Sequence, residues 1–231
     1  MHCRVTKTEE QRGFRLDMSL KKLIKRLDSQ GKLRKIMKNN KVLKWMYYDF
    51  FVGLAQRRAR IRIQTHGYEL LEHVHNILES ESIDFFVDFG TLLGFIREGD
   101  FLTHDLDIDI GVLVEDDNTR KRVRNALVNG GCKLNSTSIY NSTITRESYA
   151  FLGIKFDVGF YETGGKDSIC YLFYVPNDTH LMPNERHVVR MRYSSIDGVE
   201  KRRFTDITIN IPKDSERLLE EKYGADWRIP D

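Results

Sequence analysis

The chain has 231 residues, 40% hydrophobic and 31% charged, which is enough for a hydrophobic core and excludes a fibrous or disordered protein. No stretch approaches 18 uninterrupted apolar residues, so no membrane-spanning helix is expected, and neither is a secretory leader. The net charge of +3 hides an asymmetry: residues 1–66 hold 18 Lys and Arg against 5 Asp and Glu, whereas residues 67–231 hold 19 against 29. The three cysteines, Cys3, Cys132 and Cys170, have no metal-ligand spacing, which argues against a zinc site or a disulfide framework and for a reducing, cytoplasmic setting.

In chain order, residues 1–16 carry no period and read as frayed. From Asp17 or Ser19, the spacing of Leu20, Leu23, Ile24 and Leu27 predicts an amphipathic helix. Lys21, Lys22, Lys25 and Arg26 lie on its other side, and Gly31 ends it. Two uses are open for this basic face: an anionic partner such as a membrane surface, or a solvated face docked on the acidic body. A second helix is expected over Leu33 to Tyr48 and a third up to about Glu79, with Leu70, Leu71, Val74, Ile77 and Leu78 as its buried stripe.

The pattern then changes. Phe85 to Val87 reads as a strand, Leu92 to Glu98 as a short helix, and residues 107–114 as an alternating strand. A helix follows from the acidic run 115–117 to Gly130 and Gly131. Strands are expected at Ile154 to Tyr161 and Ser168 to Val175. A last helix opens at Pro212-Lys213-Asp214 and stops at Gly224. This order predicts an α+β fold with a mixed central sheet, in two parts: a basic helical extension over 1–66 and an α+β domain over 67–231.

The segment from Asp88 to Val112 carries the chemistry. Asp105, Asp107 and Asp109 recur at every second residue, so one strand would present all three carboxylates on one face. Such a row repels itself unless a cation neutralises it, and an all-oxygen donor set suits Mg²⁺ or Mn²⁺. Upstream, Gly90 and Thr91 stand between a strand and a helix, where the backbone can approach a phosphate at the helix's positive end. Gly94 is expected to allow close helix–sheet packing. Arg97 offers a planar fork for phosphate, or alternatively a surface ion pair near Glu98. The remaining histidines have no ligand spacing and read as structural.

This segment resembles the LicD and fukutin-related family of phosphotransferases, which shows a Gly-Thr-Leu-Leu-Gly stretch, a following Arg, and Trp-Asp-x-Asp-x-Asp. The matching residues are Gly90 to Gly94, Arg97 and His104 to Asp109, with His104 in place of the family's Trp. Asp157, in Ile-Lys-Phe-Asp-Val-Gly-Phe, looks like the family's third strand carboxylate. Tyr223-Gly224-Ala225-Asp226-Trp227 looks like its Tyr-Gly-x-x-Trp close.

The resemblance implies a nucleotidyltransferase-like fold and transfer of a phosphoalcohol, such as phosphocholine or ribitol phosphate, from a CDP-activated donor to a cell-surface or lipid-linked glycan. It implies Asp107 and Asp109 as metal ligands with Asp105 beside them. Gly90, Thr91 and Arg97 would be donor-phosphate contacts. Asp157 would be either a third ligand or the base for the acceptor hydroxyl. Three rivals remain: a nucleotidyltransferase using an NTP, a glycosyltransferase with an Asp-x-Asp site, and a basic nucleic-acid-binding module, which the acidic body disfavours.

Overall fold

In the computed structural model, residues 2–7, 41–116, 118–174, 185–204 and 206–230 are described. The expected helix at 20–27 and the first part of the one starting at Leu33 lie outside them. The described residues form ten strands and four helices: β1 (His2–Lys7), α1 (Lys41–Ser80), β2 (Phe85–Val87), α2 (Phe89–Glu98), β3 (Ile108–Val114), α3 (Thr119–Asn129), β4 (Lys133–Tyr140), β5 (Thr143–Phe151), β6 (Ile154–Gly164), β7 (Asp167–Tyr174), β8 (Glu185–Ser194), β9 (Val199–Phe204), β10 (Ile207–Pro212) and α4 (Ser215–Tyr223). This is the expected α+β class.

Eight strands form one mixed sheet in the order β2-β3-β6-β5-β4-β1-β8-β7, and β7 also pairs with β6, so the hydrogen-bonded order returns to β6. A separate hairpin joins β9 to β10. Among the described strand pairs only β3 and β6 run parallel, with Asp109 opposite Asp157. This pairing brings the two halves of the sequence motif together. The intervening residues, Ile108, Ile110, Phe156 and Val158, are at most 2% exposed and form the core beneath it.

Two expectations are corrected. Residues 2–7 are not frayed: β1 pairs antiparallel with β4 and with β8. The second and third expected helices are one, because α1 runs unbroken from Lys41 to Ser80 and crosses residue 66 without a turn. Its apolar rows bury Ile63, Leu70, Leu71, Val74 and Leu78 against the sheet. No helix among the described residues is long and apolar enough to cross a membrane.

Helix α2 is fixed at both ends by its sequence. Asp88 caps it, its carboxylate accepting the Phe89 N–H at 2.8 Å. Gly99 closes it in the left-handed region at φ 77°, a conformation that glycine adopts without a Cβ penalty. Gly94 is needed for packing, against the loop after α2 rather than against the sheet. A Cβ there would lie 2.6 Å from the Asp100 carbonyl and 2.9 Å from the Leu102 amide, both backbone atoms with little room to move.

In an exposed helix Gly→Ala stabilises by about 0.5–1 kcal/mol. Here the clash reverses the sign. Gly94→Ala is expected to destabilise the protein by about 1–3 kcal/mol, read as a lower urea midpoint at an unchanged slope.

Candidate active site

The three aspartates of the motif do not form one strand face. β3 begins at Ile108, so Asp109 is on the strand while Asp105 and Asp107 lie in the loop that leads into it. The carboxylates are gathered by other means. Asp109 stands beside Asp157 across the parallel β3–β6 pair. Lys155, two residues before Asp157, places its ammonium 2.7 Å from Asp157 and 2.7 Å from Asp107. Arg146, from the neighbouring β5, reaches Asp157 at 2.6 Å and Asp109 at 3.0 Å.

Asp105 lies over the first turn of α2, where a Cβ on Gly90 would sit 3.0 Å from its carboxylate oxygen. Gly90 therefore makes room for Asp105. Thr91 is buried, and its hydroxyl accepts the Asp109 N–H at 3.0 Å. The Asp88 N–H donates to the Asp109 carbonyl at 2.9 Å. The Gly-Thr turn thus holds Asp109 by its backbone on both sides.

Burial and charge divide these carboxyls. Burial pushes Asp109 up to about 7; Arg146 opposes this, and Asp107, Asp157 and Asp88 reinforce it. Asp105 is pushed up to about 6, again mainly by burial. Burial would raise Asp157 too, but Arg146 and Lys155 outweigh it and hold this carboxyl below the usual range. The difference follows from the contacts: Asp157 meets two cations, while Asp109 meets one that it shares.

One oxygen each of Asp105 and Asp157 is buried without a hydrogen-bond partner. Among the described residues, no three acidic, histidine or cysteine side chains stand ready at metal-ligand spacing. The donor set itself is all oxygen and anionic, and its chemistry fits a hard divalent cation.

Arg97 sits at the far end of α2 from Gly90 and Thr91, about 10 Å along the helix. It bonds Glu98 at 2.8 Å and the Trp227 carbonyl at 3.3 Å, tying α2 to the C-terminal Tyr-Gly-x-x-Trp segment. Tyr223 of that segment has its hydroxyl raised, by burial first and then by the charges of Asp88, Asp109 and Asp105, while the residue as a whole is 41% exposed. Of the histidines, His73 stacks on Phe151 and bonds the Gly130 carbonyl, a structural role as expected. Cys132 and Cys170 are buried and free.

Four residues that position the site were not singled out from sequence: Arg146, Lys155, Lys222 and Tyr161. Only Lys155 had a readable signal, because period two in a strand puts it on the same face as Asp157. Lys222, from α4, is 1% exposed in its side chain, as is its ion-pair partner Asp88. It also lies 2.8 Å from the Tyr161 hydroxyl and 3.8 Å from the centre of the Phe89 ring. This buried pair clamps the C-terminal helix to the start of α2.

Lys222→Met would leave the Asp88 charge buried and unpaired, at a cost of about 3–5 kcal/mol. Adding Asp88→Asn, which keeps a capping side chain, is expected to restore much of the loss in urea unfolding. The raised carboxyls predict a pH trend as well. The folded state holds protons on Asp105 and Asp109 that the unfolded chain releases near an aspartate's ordinary value of 3.8. Raising the pH from about 4 to 7 therefore favours unfolding, by at most about 1.4 kcal/mol per pH unit for each proton. In EDTA, Asp109→Asn is expected to flatten this fall relative to the wild-type chain, as measured by thermal melts across that range.

Comparison with known proteins agrees with the geometry. Over 50 residues, 22% of this chain, the sequence is 36% identical to an uncharacterised protein of Rickettsia prowazekii and to one of Rickettsia typhi. The chain spans only 19% and 16% of the length of these relatives. Residues 82–214 match the LicD/FKTN/FKRP nucleotidyltransferase domain, from just before β2 to the start of α4. The match takes in Gly90, Thr91, all four aspartates and both bridging cations, and covers more than half of the chain: the protein belongs to the LicD/FKTN/FKRP nucleotidyltransferase-domain family.

Proposed function

We propose that the protein is a metal-dependent phosphotransferase that moves a phosphoalcohol from a CDP-activated donor onto a glycan. Family membership supports a transferase acting on glycans. The observation that carries the finer reading is the parallel register that sets Asp109 beside Asp157, with Asp107 drawn to the same place through Lys155. Asp107, Asp109 and Asp157 would hold Mg²⁺ or Mn²⁺, which when bound neutralises the donor's phosphate oxygens.

The chain's own groups do the rest. The first turn of α2 leaves N–H groups without intrahelical partners, and its positive end favours the donor phosphate. Thr91 keeps Asp109 in place beneath it. Asp157, held below the usual range by two cations, is a poor proton acceptor and suits a ligand role. Asp105, pushed up to about 6 and carrying a buried oxygen with no hydrogen-bond partner, suits the acceptance of the acceptor hydroxyl's proton. The strongly basic segment before the catalytic body suits the anionic inner face of a membrane, where lipid-linked glycan acceptors reside.

The family's nucleotidyltransferase description favours a second reading, transfer of a nucleotide from an NTP, since the same carboxylates would serve. Products separate the two. Incubation with CDP-choline, CDP-ribitol or CDP-glycerol and Mg²⁺ is expected to release CMP; pyrophosphate release from an NTP would support the second reading instead. Asp107→Asn and Asp109→Asn are each expected to lower turnover by several orders of magnitude while circular dichroism stays unchanged. Near-wild-type turnover at saturating Mg²⁺ in either variant would refute the mechanism.

A further inference from the structure

We infer that Lys155 is a resident counter-cation of the carboxylate site, occupying the place of the divalent ion between Asp107 and Asp157 and leaving it when that ion binds. The inference rests on the metal reading above and concerns what the chain does before the metal arrives.

The two internal cations are not equivalent. Arg146 reaches the site from β5, is 22% exposed in its side chain, and bridges two carboxylates that are themselves fixed on strands. It is part of the frame. Lys155 is 48% exposed, and one of its two partners, Asp107, is on the loop before β3. Its ammonium is a compact point charge on a flexible stem, free to swing towards solvent. Its two contacts of 2.7 Å draw a loop carboxylate and a strand carboxylate together at the mouth of the site.

A second observation points to a missing partner. The other oxygen of Asp157, a residue only 6% exposed, is buried and lacks a well-formed hydrogen bond, the Ser148 hydroxyl across the β5–β6 pair offering it at most a weak one. A buried carboxylate oxygen without a well-placed donor is costly to maintain. The ammonium and Arg146 share one oxygen of Asp157, and the second is left with only the weak Ser148 contact. A cation centred closer to the carboxylates, with several open coordination positions, would meet both needs. Two positive charges cannot share that space: a bound ion repels Lys155 and takes Asp107 and Asp157 from it. Lys155 thus keeps the site assembled without metal and lowers its apparent affinity for metal.

The test uses the full chain and Mn²⁺ alone, followed by titration calorimetry and by the electron paramagnetic resonance signal of free Mn²⁺. Lys155→Gln and Lys155→Met are each expected to bind Mn²⁺ about tenfold more tightly than wild type, since the competing charge is gone. Lys155→Arg, which keeps the charge, is expected to bind no more tightly than wild type. Equal or weaker binding in both neutral variants overturns the inference while the metal reading stands. Absence of Mn²⁺ binding in every form overturns the metal reading and the inference with it. A measurement on the unaltered chain guards against a folding defect in the variants: Mn²⁺ is expected to speed acetylation of Lys155 by an amine-reactive reagent several-fold, read by peptide mass spectrometry. An unchanged or slower rate refutes the displacement.

Discussion

Four carboxylates folded into one place repel one another, and the fold has to contain the positive charge that lets them stay. Asp109 and Asp157 face each other across a parallel strand pair whose register is set by the buried apolar residues between them. Slipping that register by one residue would turn the core into the site and the site into the core. The carboxylates are therefore fixed by hydrophobic packing, and their repulsion must be met where they stand. Arg146 and Lys155 meet it in part: two cations against Asp105, Asp107, Asp109 and Asp157. Burial first, and the unmet repulsion after it, raise the carboxyls of Asp105 and Asp109.

The same problem is solved differently one layer down. Asp88 is fully buried because it must cap α2 and donate its N–H to the Asp109 carbonyl. A lone carboxylate at that depth is untenable. Lys222 reaches it from α4, nearly the last element of the chain, through a cage formed by Phe89, Tyr161 and Tyr193. Helix α2 is thus anchored to the C-terminal segment at its start by Lys222 and at its end by Arg97 on the Trp227 carbonyl. This explains in physical terms why the Tyr-Gly-x-x-Trp close belongs with a site far away in sequence. It holds the first turn of α2 in register with Asp109. The turn itself is under tension, since Phe89 takes φ 42°, a left-handed value that a bulky residue adopts only where its surroundings hold it.

Local signals carried much of this. Period and capping residues place α2, β3, α3, β6 and α4 within a few residues of their observed limits, because caps and glycines act on the backbone where they stand. Asp105, Asp107, Asp109 and Asp157 were legible as a set from their types and spacing. Three features were not legible. Alternation put Asp105 and Asp107 on a strand, but the ladder begins only where β6 can pair, and nothing local marks that point. Strand β1 has no hydrophobic period to reveal it, since its place is set by the edges of β4 and β8. Arg146 and Lys222 look like ordinary surface basics in sequence; their roles exist only because distant carboxylates are brought against them.

The misplaced ladder matters for the chemistry. If all three motif aspartates lay on β3, their separation would be set by the strand rise, about 6.8 Å between alternate residues. That is too wide for three groups to converge on one small ion bound at about 2.1 Å. The observed arrangement divides the set in two. Asp109 and Asp157 are held by a sheet, a buried hydroxyl and an arginine, so their positions are nearly invariant. Asp105 and Asp107 lie on a loop, with Gly90 leaving space beside the first and the half-exposed Lys155 tethering the second. A rigid pair defines where a cation would sit, and of the adjustable pair Asp107 would complete its ligands while Asp105 stays beside them. Within the stretch from Asp105 to Asp109, precision and accommodation come from different parts, and the boundary between them is Ile108, the first residue of β3.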